Sequence, residues 1–221
     1  MMAYTLIKCG RLYDGLVDAI QEQMEILVED NRIKEVGKKV SAPAGAEVID
    51  LSKFTVTPGL IDAHVHLGIG RWPERRRETV YENPAYKGMM VLANAREAML
   101  RGFTTLRVVG NNCDEGYGSI VSKRLINSGY FEGARLVVAS CYTGTTRSHA
   151  DTTALFATYP DVATWVWERY PGFISGAESM RECVRQQAKF GADFIKLYAT
   201  GGFSTPADGP EDECLTDEEM K

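Results

Sequence analysis

Between Tyr4 and Val56 the apolar positions come in short runs with no helical period. Tyr4-Thr-Leu-Ile-Lys begins a strand. Met24–Glu29 and Arg32–Val36, separated by the polar pair Asp30-Asn31, form a hairpin that ends at Gly37. Ala42-Pro-Ala-Gly is a loop and Glu47–Leu51 a further strand. From Thr57-Pro58-Gly59 onward the pattern changes, and strand-like runs alternate with helix-period segments. Strands are predicted at Ile61–Leu67, Thr104–Val109, Arg135–Ser140 and Asp193–Ala199. The first helix opens at Asn83-Pro84 and closes at Gly102, with Met89, Leu92, Ala95 and Met99 on its apolar face. Ile120–Asn127 is a shorter helix. Ser175 and Glu178 form a capping box for another, whose face carries Met180, Cys183, Val184 and Ala188 before Gly191. Thr216 and Glu219 have the same spacing and predict a last helical start. The stretch Tyr142–Ile174 is read as a long aromatic loop with room for short helices. Strand and helix alternating at this spacing mean βα units on a parallel sheet.

Composition narrows the classes without selecting one. The chain has 221 residues, 44% of them apolar and 25% charged, with 25 basic against 30 acidic side chains and a net charge of −5. That composition is globular and excludes a disordered, collagen-like or coiled-coil chain. No apolar run approaches the roughly 20 residues that span a bilayer, and Met1–Gly10 has no signal-peptide pattern. The scattered acidity argues against nucleic acid as a partner. The five cysteines, at 9, 113, 141, 183 and 214, are odd in number and widely spaced. Reduced thiols in a cytoplasmic protein are therefore expected, rather than a disulfide framework or a zinc knuckle.

Two of the three histidines, His64 and His66, stand two residues apart on the first βα strand. Residues i and i+2 project from one face of a strand, so the two imidazoles can share a divalent cation. The bland alternative is a pair of polar residues on a half-buried strand, but the carboxyl end of a parallel strand is where α/β enzymes place their sites. Lys196 lies between Phe194, Ile195, Leu197 and Tyr198. Burial lowers an ammonium pKa and makes the amine nucleophilic. Such an amine can add carbon dioxide to give a carbamate with two metal-bridging oxygens. Taken alone, Lys196 reads equally as a lysine snorkelling from a strand end.

Three blocks together resemble the amidohydrolase superfamily: Thr57-Pro-Gly-Leu-Ile-Asp-Ala-His-Val-His66, Gly102-Phe-Thr-Thr-Leu-Arg107, and Gly191-Ala-Asp-Phe-Ile-Lys-Leu-Tyr-Ala-Thr-Gly-Gly202. Within it they are most similar to the imidazolonepropionase-related, Xaa-Pro dipeptidase-like branch. The resemblance implies a (β/α)8 barrel with a small β-sandwich, so that residues 1–57 form part of the sandwich and 58–221 the first four βα units. It implies two divalent metal ions, zinc being expected, with His64 and His66 on one ion and carboxylated Lys196 bridging both. A metal-bridging hydroxide would then attack a carbonyl. Lys196 argues against the superfamily's deaminases and against imidazolonepropionase itself, which lack this ligand.

His149 matches a branch position that faces substrate, although Arg147 and Ser148 replace glycines of the branch pattern. Its alternative is a solvated loop residue. Tyr198 is a second substrate-binding candidate, with core packing as its alternative. Arg71, Arg75, Arg76 and Arg77 read as a solvated loop that could also meet a substrate carboxylate. The remaining ligands of the resemblance are histidines on strands five and six and an aspartate base on strand eight. None is assignable here, so no catalytic residue is expected within this chain. Ile61–Lys221 supplies 161 residues, against about 250 for a barrel. The rest of the barrel is expected in the same or another chain, the isolated chain is expected to be inactive, and a homo-oligomer is expected. The expected reaction is hydrolysis of an amide or peptide bond in a small dipeptide-like or N-acyl amino acid substrate. Its alternatives are a cyclic amide, lactone or ester hydrolase of the same fold, and a catalytically silent homologue.

Overall fold

The structure, a computed structural model, describes residues 3–70, 83–111, 117–151, 153–156, 158–169, 173–203 and 209–221. It divides into two units, Met1–Gly59 and Leu60–Lys221. In the first, β1 (Tyr4–Leu12), β2 (Gln21–Glu29), β3 (Arg32–Gly37) and β4 (Glu47–Val56) form one sheet in the order β3-β2-β1-β4. β1 pairs antiparallel with β2 and parallel with β4. The register Ile7↔Ile26 and Cys9↔Met24 puts those four side chains on one face, where Leu12 and Val56 join them; Leu6, Leu27 and Val40 cluster separately. The Asp30-Asn31 turn is made as its polar pair predicts, with Asp30 at φ +52°, a conformation that short polar side chains tolerate.

In the second unit β5 (Leu60–Val65), β6 (Phe103–Val109) and β7 (Arg135–Ala139) form a parallel sheet in sequence order. Two further residues of β8 (Tyr142–Thr143) pair in parallel with β9 (Lys196–Leu197). The crossovers are α1 (Pro84–Leu100) between β5 and β6 and α2 (Gly118–Asn127) between β6 and β7. Asn83 caps α1 with its side chain on the Tyr86 N–H, and Pro84 occupies the first turn, as the sequence suggests. Leu67, Val91, Ala95, Leu106, Val108, Ile120, Leu136 and Val138 fill the layer between sheet and helices.

Several sequence expectations shift. The buried stripe of α1 runs through Lys87, Val91 and Ala95, while Met89 faces outward. On α4 (Ala177–Phe190) Gln187 is buried and Ala188 exposed. The Gln187 amide nitrogen donates to Thr143 Oγ1 at 2.9 Å, which offsets part of the cost of burying this polar group. The Ser175/Glu178 box does not form. Gly176 is the N-cap, and its N–H donates to Glu219 Oε1 at 2.8 Å. The Thr216/Glu219 box does form and opens α5 (Asp217–Met220). The aromatic loop contains a 3-10 turn (Thr153–Phe156) and α3 (Pro160–Arg169).

The strand predicted at Asp193–Ala199 is regular only at Lys196–Leu197, because Asp193 bonds the neighbouring strand with its side chain as well as its backbone. Its N–H donates to the Val138 carbonyl at 2.8 Å, its Oδ2 accepts the Val138 N–H at 2.8 Å, and its Oδ1 pairs with Lys123 at 2.6 Å. Val138 is fully buried. Asp193→Ala is therefore expected to strand a buried N–H and cost about 1–3 kcal/mol. Asp193→Asn, which keeps an acceptor, should cost visibly less in urea unfolding.

Candidate functional site

His64 lies on β5 and His66 just past its end. The strand is irregular here: the β5–β6 register shifts between Asp62 and Val65, and Asp62 Oδ1 accepts the His64 N–H at 3.0 Å. The two rings nevertheless stay together, their centroids 5.5 Å apart and their planes at 74°. His66 Nδ1 is 2.7 Å from the Gly110 carbonyl oxygen. A carbonyl only accepts, so Nδ1 carries the proton and Nε2 presents its lone pair, the tautomer a metal-ligating histidine needs. Gly110 sits at φ +92°, and a Cβ there would stand 2.8 Å from the Tyr142 nitrogen. Only glycine fits this conformation so close to the Cys141–Tyr142 backbone.

From His66 a run of aromatic rings crosses to the other candidates. The Tyr142 ring is 6.4 Å from His66 and 5.0 Å from Tyr198, and Tyr198 is 5.0 Å from His149. Lys196 Nζ stands 4.8 Å from the Tyr198 ring centroid. The β8–β9 pairing, Tyr142↔Lys196 and Thr143↔Leu197, with the Tyr198 N–H on the Thr143 carbonyl at 2.9 Å, sets this alignment. All five residues singled out from the sequence thus fall in one contact series. Burial holds the Lys196 ammonium below its ordinary pKa, with the positive charge of Arg107 a second cause. Burial raises the Tyr198 phenol, which stays neutral. Arg107 reaches across from β6, its guanidinium 4.0 Å from the Phe194 ring centroid and 3.4 Å from the Ala63 carbonyl.

His149 is half-buried, and its loop is stitched to the segment after β9. Its N–H donates to the Thr200 carbonyl at 3.2 Å. Arg147 takes the left-handed conformation, φ +71°, which disfavours a side chain. It is held there by its N–H on Asp151 Oδ2 (2.9 Å), an ion pair to Asp212 (2.9 Å) and the Cys214 thiol on its carbonyl (3.2 Å). Gly202 lies against the His149 ring, where a Cβ would be 2.6 Å from Cγ.

Phe173, from the aromatic loop, packs against the cluster of Cys141, Tyr142 and Ala150, as Tyr198 does, so this part of the loop adjoins the site. Arg71, Arg75, Arg76 and Arg77 lie outside the described residues, as do Cys113 and Tyr170. Cys9, Cys141 and Cys183 are buried and Cys214 is half-buried. Among the described residues no group of three or more His, Cys, Asp or Glu side chains is assembled to hold a metal ion, and no helix is long and apolar enough to cross a membrane. Tyr142 and Gly110 carry no signal in the sequence, and Arg107 only closes the second sequence block, because their contacts come from strand pairing rather than from spacing along the chain.

Residues 55–221 match the model of the amidohydrolase family. The chain belongs to this family. Among solved amidohydrolase-like structures it is similar to a Xaa-Pro dipeptidase with bound methionine in its active site. That match has 32% identity and a TM-score of 0.83, and covers 99% of this chain and 52% of that one. It is 28% identical over 229 aligned positions to ochratoxinase from Aspergillus niger, covering 98% of this chain and 46% of that protein. It is 37% identical over 129 residues to dihydroorotase from Geobacter metallireducens, covering 58% of this chain and 27% of that protein. The chain thus spans at most about half the length of these relatives.

Proposed function

We propose that this chain carries part of the site of a metal-dependent amidohydrolase that cleaves an amide or peptide bond in a dipeptide-like or N-acyl amino acid substrate. The observation carrying the reading is the series His64–His66–Tyr142–Tyr198–His149, with Lys196 Nζ over the Tyr198 ring. The similarity to a Xaa-Pro dipeptidase structure supports the substrate class. In this reading the second unit is the first four βα units of a (β/α)8 barrel, and residues 1–57 are part of a β-sandwich. Two further histidines and the aspartate base come from the remaining strands, in the same or another chain.

The donors suit a divalent pair, zinc above all. His66 offers Nε2 because Gly110 occupies Nδ1, and imidazole nitrogen with a carboxylate-like oxygen is a zinc-type ligand set. His64 and His66 would hold one ion and carboxylated Lys196 would bridge to the second. When bound, such ions supply Lewis acidity toward a carbonyl and lower the pKa of water. The chain's own residues do the rest. Gly110 fixes the His66 tautomer, burial keeps the Lys196 amine available to carbon dioxide, and the rings of Tyr142 and Tyr198 form an apolar wall beside it. His149 donates to or accepts from the substrate, and the neutral Tyr198 hydroxyl offers a hydrogen bond.

The test combines metal analysis with a substrate panel. The chain, alone and together with a segment supplying the remaining barrel strands, is loaded with zinc and bicarbonate and offered Xaa-Pro dipeptides, N-acyl amino acids, cyclic amides and lactones. Amino acid release in the completed protein supports the proposal. Turnover confined to cyclic amides or lactones moves the assignment to that alternative. Absence of both metal and turnover leaves the silent homologue as the reading.

A further inference from the structure

The turn that follows His66 is gripped by two side-chain amides from different elements, Asn94 half-buried and Asn111 buried. Asn94 Nδ2, on α1, donates to the Leu67 carbonyl at 2.7 Å. Asn111 Oδ1, just past the end of β6, accepts the Gly68 N–H at 2.9 Å. The other end of the Asn111 amide donates to Ser119 Oγ in the first turn of α2, and both residues are almost wholly buried. The orientation of that amide is dictated by its partners, since the Gly68 N–H can only donate. Gly68 approaches so closely that a Cβ there would stand 2.9 Å from Asn111 Cγ. Asn111 also directly follows Gly110, whose carbonyl takes the His66 ring proton. Two consecutive residues at one strand end therefore hold the ring and the turn of the same histidine.

We propose that Asn111 is a positioning residue for His66: by tying the Gly68 turn to α2 it keeps His66 Nδ1 on the Gly110 carbonyl and Nε2 aimed outward as a donor. The idea rests on the metal reading above, but it has consequences in the metal-free chain. Partners behind a ligating histidine fix its tautomer and orientation, and losing one lowers metal affinity by about 10–100-fold. Asparagine suits this task because it accepts and donates at once. Leucine has nearly its shape and neither capacity, while aspartate keeps the acceptor toward Gly68 and can receive the Ser119 hydroxyl.

The experiment uses the chain without metal and then with cobalt(II). With three histidines in the sequence, His64→Gln and His149→Gln assign the imidazole resonances. ¹⁵N NMR then reads the His66 tautomer, and hydrogen exchange reads the Gly68 amide. In the wild-type chain a single Nδ1–H tautomer and a protected Gly68 amide are expected. In Asn111→Leu a tautomer mixture, Gly68 exchange at least about tenfold faster and cobalt affinity about 10–100-fold weaker are expected. Asn111→Asp should stay much nearer to wild type in all three. Should Asn111→Leu not fold, Ser119→Ala decides in its place, with smaller changes in the same readouts supporting the proposal. Unchanged tautomer and Gly68 exchange in a folded variant overturn it, even where the melting temperature falls. If wild type fails to bind cobalt while tautomer and exchange respond to Asn111, the metal reading fails and the positioning role stands.

Discussion

Lys196→Ala is expected to lower the affinity for zinc or cobalt by more than about 100-fold, beyond the range found when an outer partner of a ligand is removed. The reason lies in where the lysine sits. Paired with Tyr142 across the β8–β9 ladder and half-buried, its ammonium is disfavoured by desolvation and by Arg107. The amine is therefore more readily neutral than an exposed lysine, and a neutral amine is the form that captures carbon dioxide. Alanine removes both carbamate oxygens but leaves a space in front of Tyr198. A short carboxylate such as acetate or propionate, supplied at high concentration, should enter that space and restore part of the binding. Titration with each metal, with and without added carboxylate, checks the result. Full metal retention in Lys196→Ala would remove the lysine from the site. Carbon-13 bicarbonate should label one lysine in wild type and none in the variant.

Gly202→Ala is expected to have the second large effect. The methyl group would overlap the His149 imidazole, 2.6 Å from Cγ and nearer still to Nδ1. The ring cannot retreat easily, because its backbone is tied to Thr200 and the ring itself contacts Tyr198. Overpacking of this kind costs about 1–3 kcal/mol, and the ring must leave its contact with Tyr198. A double-mutant cycle separates this from a general loop effect. If the clash is the cause, His149→Ala in the Gly202→Ala background should recover most of the lost stability, with a coupling of about 1–3 kcal/mol. Additive effects in urea unfolding would refute the assignment. In the completed enzyme the same substitution should weaken substrate binding, read as a raised KM.

Local features of the fold were legible where a local cause is enough. Asn83-Pro84 starts α1 because the cap and the fixed proline φ act within one turn. Thr216 and Glu219 form their box for the same reason. Ser175 and Glu178 have identical spacing and do not, since Glu219, distant in sequence, supplies the acceptor for Gly176 instead. On α4 the apolar pattern points to Ala188, whereas the structure buries Gln187, whose amide nitrogen reaches the Thr143 hydroxyl. That partner is 44 residues away, so no window along the helix could reveal it.

The candidate site divides along the same line. Its chemical vocabulary, a histidine pair at i and i+2 and a lysine among apolar residues, is written in the chain, because donor chemistry belongs to the residue type. The relation of those groups to one another is not. Tyr142 joins His66 to Tyr198 because β8 lies beside β9 in a particular register. The His66 proton is assigned by a carbonyl 44 residues away. Arg147 adopts a glycine-like backbone because Asp151, Asp212 and Cys214 converge on it. Residue identity and short spacing thus set which chemistry was available and that βα units would form. Strand pairing and long-range hydrogen bonds decided which atoms face each other, since those contacts exist only after the chain has closed over tens of residues.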